Sequence, residues 1–430
     1  MPFEYYFPEP QKIHFETFGC TANLGDTLKL QALFRNAGHT IVAGAQDAEV
    51  VILNTCTVTR RTELNVLKRL QTLQAGGKVV VVAGCMAAAQ PDLLKDVLGE
   101  DVLLVTPADI QESWQETRVF DLEGVVSVIP IALGCLGTCS YCIVKQARGA
   151  LRSYRPAWII EAVRSVVARG AKEIRITAQD CSAYGFDAAH SVTLPQLLEQ
   201  LTALDGDFRI RVGMMNPATV LPILDPLMDA FESDKIFKFF HVPVQSGSDE
   251  VLRAMRRNYR VADFVAIITS LRERFSDCTI STDFIVGYPT ETEAQFQSSV
   301  RLLEALRPEK VNITKFSPRS GTEAAALNDL LERDKKRRSR ILTACDRKIS
   351  CERTKAVEGT LVPALITEQG KKGGIIGRDP AYRMVILREE LPLGSSCEVT
   401  ITSATNTYLI GRSSYQDRVS EGFRACATNF

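Results

Sequence analysis

The chain has 430 residues, which at about 150 residues per domain allows two or three domains with separate cores. Hydrophobic residues make up 45% and charged residues 24% of it, which excludes an intrinsically disordered protein. The 51 basic and 51 acidic residues cancel, so a nucleic-acid partner would have to bind a local basic surface.

Residues 12–115 alternate β-rich runs with helical runs, which predicts a parallel α/β sheet with helices on both faces. Three of the predicted strands are followed closely by Cys20, Cys56 and Cys85. Because the carboxyl ends of parallel strands share one edge of a sheet, we expect these thiols to converge. The predicted strands are 12–18, 49–54 and 79–83, and the predicted helices are 24–37, 63–74 and 92–97.

Residues 125–355 continue the alternation with amphipathic helices such as 157–169 and 261–275. This pattern predicts a partial (βα)6 barrel of the TIM type, which is open on one side and can admit a large substrate. The six predicted strands are 126–133, 173–178, 208–214, 237–244, 279–286 and 310–316.

The sequence pattern changes toward the end of the chain. A charged helix is predicted at 331–357, and short β-rich runs broken by glycine follow it. Five short strands within 357–416 predict a small, OB-like β-barrel of the kind that binds nucleic acids. The basic run 335–340 has two interpretations, a contact with RNA phosphates and a solvated helix face.

No targeting or membrane segment stands out. The longest apolar stretches fall well short of the ~20 residues of a membrane span, and the N-terminus lacks the pattern of an export signal. We therefore expect a cytoplasmic protein without a membrane partner, whose twelve cysteines serve as metal ligands or catalytic groups rather than disulfides. Six of them share no edge or spacing and are expected to be core or surface thiols: Cys181, Cys278, Cys345, Cys351, Cys397 and Cys426.

A loop with the spacing C-x-x-x-C-x-x-C follows the first predicted barrel strand and contains Cys135, Cys139 and Cys142. Three thiolates can hold three irons of a [4Fe-4S] cluster and leave the fourth iron open to a small molecule. The alternative is a zinc site, but zinc usually takes four ligands and no fourth Cys or His lies close in the sequence.

This loop, with an aromatic Tyr141 before its last cysteine, resembles the radical S-adenosylmethionine superfamily. The resemblance implies that Cys135, Cys139 and Cys142 hold a cluster whose open iron chelates S-adenosylmethionine. It also implies that Tyr141 lies near the adenine, and that the barrel positions a radical that abstracts hydrogen from an unactivated carbon.

The rest of the chain is similar to the methylthiotransferases within that superfamily. The similarity rests on Asn23 with Cys20, Cys56 and Cys85, and on the motifs at 240–247, 281–291 and 316–322. It implies a second [4Fe-4S] cluster on those three cysteines and a C-terminal TRAM domain that binds RNA. It also implies contacts with S-adenosylmethionine by Gln179, Gln245 and Arg257.

The segment 143–149 lacks the proline typical of the bacterial enzymes and is similar to the archaeal and eukaryotic branch that modifies N6-threonylcarbamoyladenosine at tRNA position 37. The segments 179–185 and 255–259 agree with this branch. A threonylcarbamoyl group carries a carboxylate, so Lys145 and Arg148 are candidate substrate contacts, with ordinary solvated charges as the alternative.

Two further enzyme hypotheses keep the chemistry but change the substrate, to N6-isopentenyladenosine 37 or to an aspartate of a ribosomal protein. A third hypothesis is a non-catalytic iron-sulfur protein that binds RNA.

In the first hypothesis the partners are the tRNA anticodon stem-loop, with the target base splayed out of the loop, and an electron donor such as flavodoxin or ferredoxin. Arg378, Arg383 and Arg412 are the candidate phosphate contacts in the C-terminal barrel.

Overall fold

The structure is a computed structural model that describes residues 6–117, 122–187, 191–370 and 373–413. The expected end of the third domain at 416, Cys426 and the tail after Ser413 lie outside the described residues. In chain order, the described residues form a parallel sheet, an open barrel and a closed small barrel, which confirms the predicted architecture. None of the described helices is both long enough and apolar enough to span a membrane.

The N-terminal unit is a parallel sheet covered by helices. Its strands are β1 (Lys12–Thr17), β2 (Thr40–Ile41), β3 (Val50–Thr55), β4 (Val79–Gly84) and β5 (Leu103–Val105). Its helices are α1 (Thr21–Asn36), α2 (Arg60–Ala75), α3 (Cys85–Ala89), α4 (Pro91–Leu98) and α5 (Pro107–Thr117).

The strand order is β2-β1-β3-β4-β5, and every pair is parallel. The central strand β3 is buried along its whole length, as expected for a parallel strand covered on both faces. The sequence pattern predicts β1, β3 and β4 closely but does not reveal β2 and β5, because two or three residues are too few to show a periodicity.

The central unit is a six-stranded open barrel with a small side ribbon. Its strands are β6 (Val126–Pro130), β9 (Glu173–Thr177), β10 (Arg209–Val212), β11 (Phe239–His241), β12 (Thr279–Val286) and β13 (Lys310–Lys315). The ribbon strands are β7 (Ala132–Leu133) and β8 (Arg152–Ser153).

Its helices are α6 (Val144–Arg148), α7 (Pro156–Ala168), α8 (Leu194–Thr202), α9 (Pro217–Val220), α10 (Leu224–Phe231), α11 (Asp249–Ala254), α12 (Val261–Arg274) and α13 (Glu293–Leu306).

The barrel strands follow one another in chain order as two parallel sheets, β6-β9-β10 and β11-β12-β13, which are joined by isolated bridges such as Met214 to His241. Along the edge strand β13 exposed and half-buried residues alternate, so the barrel is open on that side. The predicted strand 126–133 is wrong in one respect. Its ladder with β9 ends at the pair Pro130 and Thr177, so the next residues form β7 and pair with β8 instead.

The C-terminal unit is a closed barrel of five strands that follows the long helix α14 (Glu332–Lys355). Its strands are β14 (Leu361–Gln369), β15 (Ile375–Arg378), β16 (Met384–Leu387), β17 (Ser396–Ala404) and β18 (Leu409–Ser413).

This small barrel packs against the amino ends of the central strands. The Tyr382 hydroxyl donates to Glu173, which begins β9, and the backbone N–H of Lys238 donates to the Pro380 carbonyl at 2.8 Å. Arg383 pairs with Asp277 at 2.9 Å, just before β12. The opposite, carboxyl ends of the central strands therefore stay free of the small barrel.

Candidate functional site

The cysteine loop 134–142 leaves β7 at the carboxyl ends of the barrel strands. Gly134 has a φ of 78°, and a Cβ there would lie 2.0 Å from the Ala150 carbonyl oxygen, so the turn requires glycine. The loop is tied down by the Cys135 N–H, which donates to the Gly149 carbonyl at 3.2 Å. The Cys135 and Cys139 sulfurs both lie 3.7 Å from the position that a Gly137 Cβ would take, so they flank the same point.

The chemistry of this thiol set fits a metal cluster. Burial raises the pKa of Cys142 to about 11 and also raises the pKa of Cys135, and neighbouring thiols add to both effects. Such thiols stay protonated at neutral pH unless a bound cation stabilises the thiolates. Among the described residues, no three His, Cys, Asp or Glu side chains lie close enough to hold a single metal ion. In a [4Fe-4S] cluster each thiolate binds its own iron.

The second thiol set lies at the carboxyl edge of the N-terminal sheet. Cys20 follows β1, Cys56 follows β3 and Cys85 begins α3 after β4. A Cβ on Gly19 would lie 2.8 Å from the Cys56 Cβ, so the first loop passes directly over the second. Burial, together with the nearby thiols of Cys85 and Cys20, raises the pKa of Cys56 to about 11. The three cysteines therefore converge as predicted.

Asn23 fixes the position of this edge. Its side-chain amide donates to the Thr55 carbonyl at 2.9 Å and to Asn54 Oδ1 at 3.0 Å. The Cys20 thiol in turn lies 3.5 Å from Asn23 Oδ1. Because Asn23 is completely buried, it locks the start of α1 and the Cys20 loop onto β3.

Helix α6 joins the two thiol sets. Lys145 donates to the Cys135 carbonyl at one end of the helix. At the other end the Arg148 Nε donates to the Cys85 sulfur at 3.3 Å, and its Nη2 binds Asp26 at 2.6 Å. Burial acts to lower the pKa of Arg148, but Asp26 and the thiols of Cys85 and Cys20 outweigh it and raise the pKa overall.

The contacts of α6 change the interpretation of the two expected substrate contacts on this helix. Lys145 and Arg148 are already engaged by the protein, and Arg148 is buried rather than solvated. Their contact with the substrate stays a prediction, but the structure favours a role in holding the cysteines. The Asp26 partner lies far away in sequence and could not be identified from the segment 143–149.

Arg257 and Tyr141 surround the barrel cysteine loop. Arg257 Nη1 donates to the Cys139 sulfur at 3.6 Å, and its guanidinium lies 5.5 Å from the centroid of the Tyr259 ring. Tyr141 packs against the cluster of Met255 and Tyr288. Arg257 thus contacts the cysteine loop that contains Tyr141, and the expected contacts of both residues with S-adenosylmethionine stay predictions.

Gln179 and Gln245 also lie past the carboxyl ends of barrel strands. Gln179 follows β9, and its buried Oε1 has no hydrogen-bond partner among the described residues. Gln245 follows β11 with a φ of 71°, and its backbone N–H donates to the Asp283 carbonyl at 2.8 Å. Their role in binding a cofactor stays a prediction, although their position is the one that ligands occupy in barrels of this kind.

Comparison with known families assigns all three units. Residues 12–105 match the Uncharacterized protein family UPF0004, residues 129–303 match the Radical SAM superfamily and residues 355–413 match the TRAM domain.

Comparison with curated proteins finds relatives along nearly the whole chain. It is 39% identical to the "Probable threonylcarbamoyladenosine tRNA methylthiotransferase" of Pyrococcus abyssi, over 93% of this chain and 99% of that protein. The "Threonylcarbamoyladenosine tRNA methylthiotransferase" of Drosophila melanogaster is 33% identical over 95% of this chain and 78% of that protein. The chain belongs to the threonylcarbamoyladenosine tRNA methylthiotransferase family. The resemblance seen in the sequence is thereby confirmed.

A solved structure shares the fold of this methylthiotransferase family member. The radical S-adenosylmethionine methyltransferase TsrM from Kitasatospora setae matches with a TM-score of 0.54 at 14% identity, over 74% of this chain and 77% of that chain. At this identity the likeness shows the fold alone.

The basic residues expected at the RNA divide into two groups in this family member. In the run 335–340, Lys335 and Arg338 are buried and pair with Asp329 and Glu291, so neither expected interpretation of the run holds for these two. The reason is that α14 turns this face toward the loop after β12. Lys336 and Arg340 stay exposed.

Arg378 and Arg383 lie where the small barrel meets the central barrel. Arg378 pairs with Glu368 at 3.1 Å and lies 4.8 Å from the centroid of the Tyr382 ring. Both arginines line a cavity of about 930 Å³ at this junction, and Arg412 is exposed. Their contact with RNA phosphates stays a prediction.

Of the six cysteines expected to be core or surface thiols, Cys181 and Cys278 are buried in the barrel core.

One charged residue at the strand ends, Arg319, has no role among the sequence predictions. It lies in the motif 316–322, which supports the family resemblance without indicating a role for any of its residues. Its buried guanidinium binds Glu63 of the N-terminal unit at 2.6 Å.

Proposed function

We propose that this chain converts N6-threonylcarbamoyladenosine at position 37 of tRNA into its 2-methylthio derivative. The observation that carries the proposal is the pairing of two three-cysteine sets at neighbouring strand ends, joined by α6 through Lys145 and Arg148. The membership of the chain in the family supports the choice of substrate. The domain limits that we propose are 12–115, 125–355 and 357–416.

Each thiol set is suited to one [4Fe-4S] cluster. Cys135, Cys139 and Cys142 would hold the first cluster, and the exposed Cys20 with the buried Cys56 and Cys85 would hold the second. When bound, the clusters and S-adenosylmethionine supply the radical that activates the base carbon, and the sulfur and methyl group that are added to it.

The protein residues orient these groups and exclude water. Gln179, Gln245 and Arg257 are the proposed contacts with S-adenosylmethionine, and Tyr141 is proposed to pack near its adenine. The unpartnered Gln179 Oε1 and the contact of Arg257 with the Cys139 sulfur support this proposal. Arg148 holds the thiol of Cys85 in place, so the two cysteine sets stay in a fixed relation.

The tRNA and an electron donor are the proposed partners. A target base in the anticodon loop can be splayed out to reach the strand ends, and the exposed Arg412 can contact a phosphate. A flavodoxin or ferredoxin is the proposed electron donor, and a cytoplasmic location is proposed because the substrate is tRNA.

The test is an anaerobic assay of the reconstituted protein with two anticodon stem-loops that carry either threonylcarbamoyladenosine or isopentenyladenosine at position 37. We expect a 2-methylthio product from the first RNA only, and about eight irons per chain. Product from the second RNA only would move the chain to the isopentenyladenosine branch, and product from neither RNA would favour the ribosomal-protein substrate. RNA binding without consumption of S-adenosylmethionine would identify a non-catalytic iron-sulfur protein.

A further inference from the structure

The loop that contains Arg319 lies between the two cysteine sets. After β13, the Phe316 N–H donates to the Val286 carbonyl at 2.9 Å, which keeps the chain at the strand ends. The Ala324 N–H donates at 2.9 Å to the carbonyl of Ser140, inside the barrel cysteine loop. Gly321 has a φ of 77°, and a Cβ there would lie 2.6 Å from the Gln146 amide of α6. The loop is thus packed against the elements that carry the barrel thiols.

The Arg319 side chain leaves this loop toward the other cysteine set. Its Nη1 donates to Glu63 at 2.6 Å, and the same carboxylate oxygen accepts from Gln90 at 3.1 Å and from Thr57 at 3.4 Å. Thr57 is the residue after Cys56, so Arg319 is held beside the second thiol set.

Most of the hydrogen-bonding capacity of Arg319 is unused. The residue is only 4% exposed. Its Nε and Nη2 are buried and have no hydrogen-bond partner among the described residues, so neither atom is satisfied by the protein. Burial lowers the pKa of Arg319, which the attraction of Glu63 only partly offsets, and the charge of nearby Arg60 lowers it further. Arg319 therefore has one carboxylate partner, Glu63, and a second cation, Arg60, nearby. A buried guanidinium with free donors is costly unless a further anion binds it.

We infer that Arg319, assisted by Arg60, binds an anionic oxygen group of the RNA substrate beside the second thiol set. The inference rests on the proposed function. A planar guanidinium suits a carboxylate or a phosphate, because both can accept two parallel hydrogen bonds. The threonylcarbamoyl group supplies such a carboxylate on the target base itself, and the RNA backbone supplies phosphates.

The experiment measures binding of the anaerobically reconstituted protein to two anticodon stem-loops, one with threonylcarbamoyladenosine and one with unmodified adenosine at position 37. We expect Arg319→Gln to weaken binding of the first RNA by about tenfold or more, since one charge-assisted pair is worth at least that factor. Arg319→Lys keeps the charge but lacks the planar guanidinium, so its affinity for the first RNA should lie between those of wild type and Arg319→Gln. Arg164→Gln, which removes an exposed arginine on α7, is the matched control.

The two RNAs distinguish the two sources of the anion. A loss confined to the threonylcarbamoyl RNA identifies the carboxylate. An equal loss for both RNAs, with a weaker dependence on salt, identifies a backbone phosphate. Either result supports the anion site.

Three results would overturn the inference. The first is unchanged affinity for both RNAs. The second is a change in the electron paramagnetic resonance signal of the second cluster in Arg319→Gln without a loss of RNA binding, which would mean that the guanidinium serves the cluster. The third is the same loss in Glu63→Gln, which breaks the ion pair but keeps the guanidinium, because that would show an effect of folding. A wild-type protein that makes no 2-methylthio product contradicts the proposed function instead, and the binding comparison is independent of it.

Discussion

At the residue scale, the function depends on which thiols are grouped. Taken singly, Cys56 or Cys85 is a buried thiol like many others in protein cores. Their grouping indicates a ligand set, because Cys56 and Cys85 lie beside each other and beside Cys20 at one sheet edge. The two sets lie on different units, so their roles can be separated by substitution.

The first prediction separates the two sets. Cys135→Ala should abolish cleavage of S-adenosylmethionine, because it removes a ligand of the barrel cluster. Cys56→Ala should leave cleavage intact but stop sulfur insertion, because it affects only the second set. Cleavage products and modified nucleosides are measured together, with Cys345→Ala on α14 as the control. An equal loss of cleavage in both variants would refute the division of roles.

A second prediction concerns Arg148. Removing its positive charge and its hydrogen bond to the Cys85 sulfur should lower the reduction potential of the second cluster, since both stabilise the reduced state. The potential is measured by redox titration in a protein whose barrel cysteines are all replaced by alanine. Arg148→Gln should lower it more than Arg148→Lys, which keeps the charge. Equal potentials in wild type and both variants would show that Arg148 has no electrostatic effect on the cluster.

At the element scale, the packing of α1 against its neighbours buries a lysine. Lys29 is 1% exposed, donates to Gln111 at 2.7 Å and lies 4.5 Å from the centroid of the Trp114 ring. Burial lowers its pKa from 10.5 to about 8, against the attraction of Asp26. This drop corresponds to a cost of about 3 kcal/mol for keeping the charged form in the folded chain.

The third prediction follows from the sign of this shift. Lys29→Met should be more stable than wild type at pH 7 by up to about 3 kcal/mol, since it removes a buried charge. Between pH 8 and 10.5 the unfolded wild-type chain binds more protons than the folded one, so wild type gains stability and the difference shrinks.

Chemical unfolding at several pH values measures this difference, with the exposed Lys68→Met as control. A difference that does not vary with pH would contradict the third prediction.

The helices and strands also show which parts of the structure can be predicted from the sequence. Long runs such as β3 and β12 are predicted closely, because buried β-branched residues give a clear signal. The division between β6 and β7 is missed because it depends on where β9 ends, which is not local information. Arg148 and Arg338 are taken for surface cations for the same reason, since their carboxylate partners are distant in sequence.

At the scale of the whole molecule, the two ends of the central barrel are specialised. The carboxyl ends face the cysteine sets, and the amino ends receive the small barrel through Tyr382 and Arg383. Glu173 at this junction is fully buried and is neutralised by Arg175. The small barrel therefore contributes to the stability of the central one.

The fourth prediction tests this junction. Tyr382→Phe removes the hydroxyl that donates to Glu173, and should destabilise the protein by about 1–3 kcal/mol, because a buried carboxylate loses a donor. Thermal unfolding measures the change. Tyr408→Phe is the control, because its hydroxyl has no hydrogen-bond partner among the described residues. Equal unfolding temperatures for wild type and Tyr382→Phe would show that this contact does not hold the two barrels together.

The proposed reaction is tested in vivo by mass spectrometry of tRNA nucleosides from cells that lack this protein. We expect 2-methylthio-N6-threonylcarbamoyladenosine to disappear while its unthiolated precursor accumulates, and we expect the wild-type gene but not a Cys56→Ala gene to restore the product. Unchanged levels of that nucleoside in the deletion strain, together with loss of another methylthio modification, would contradict the proposed reaction.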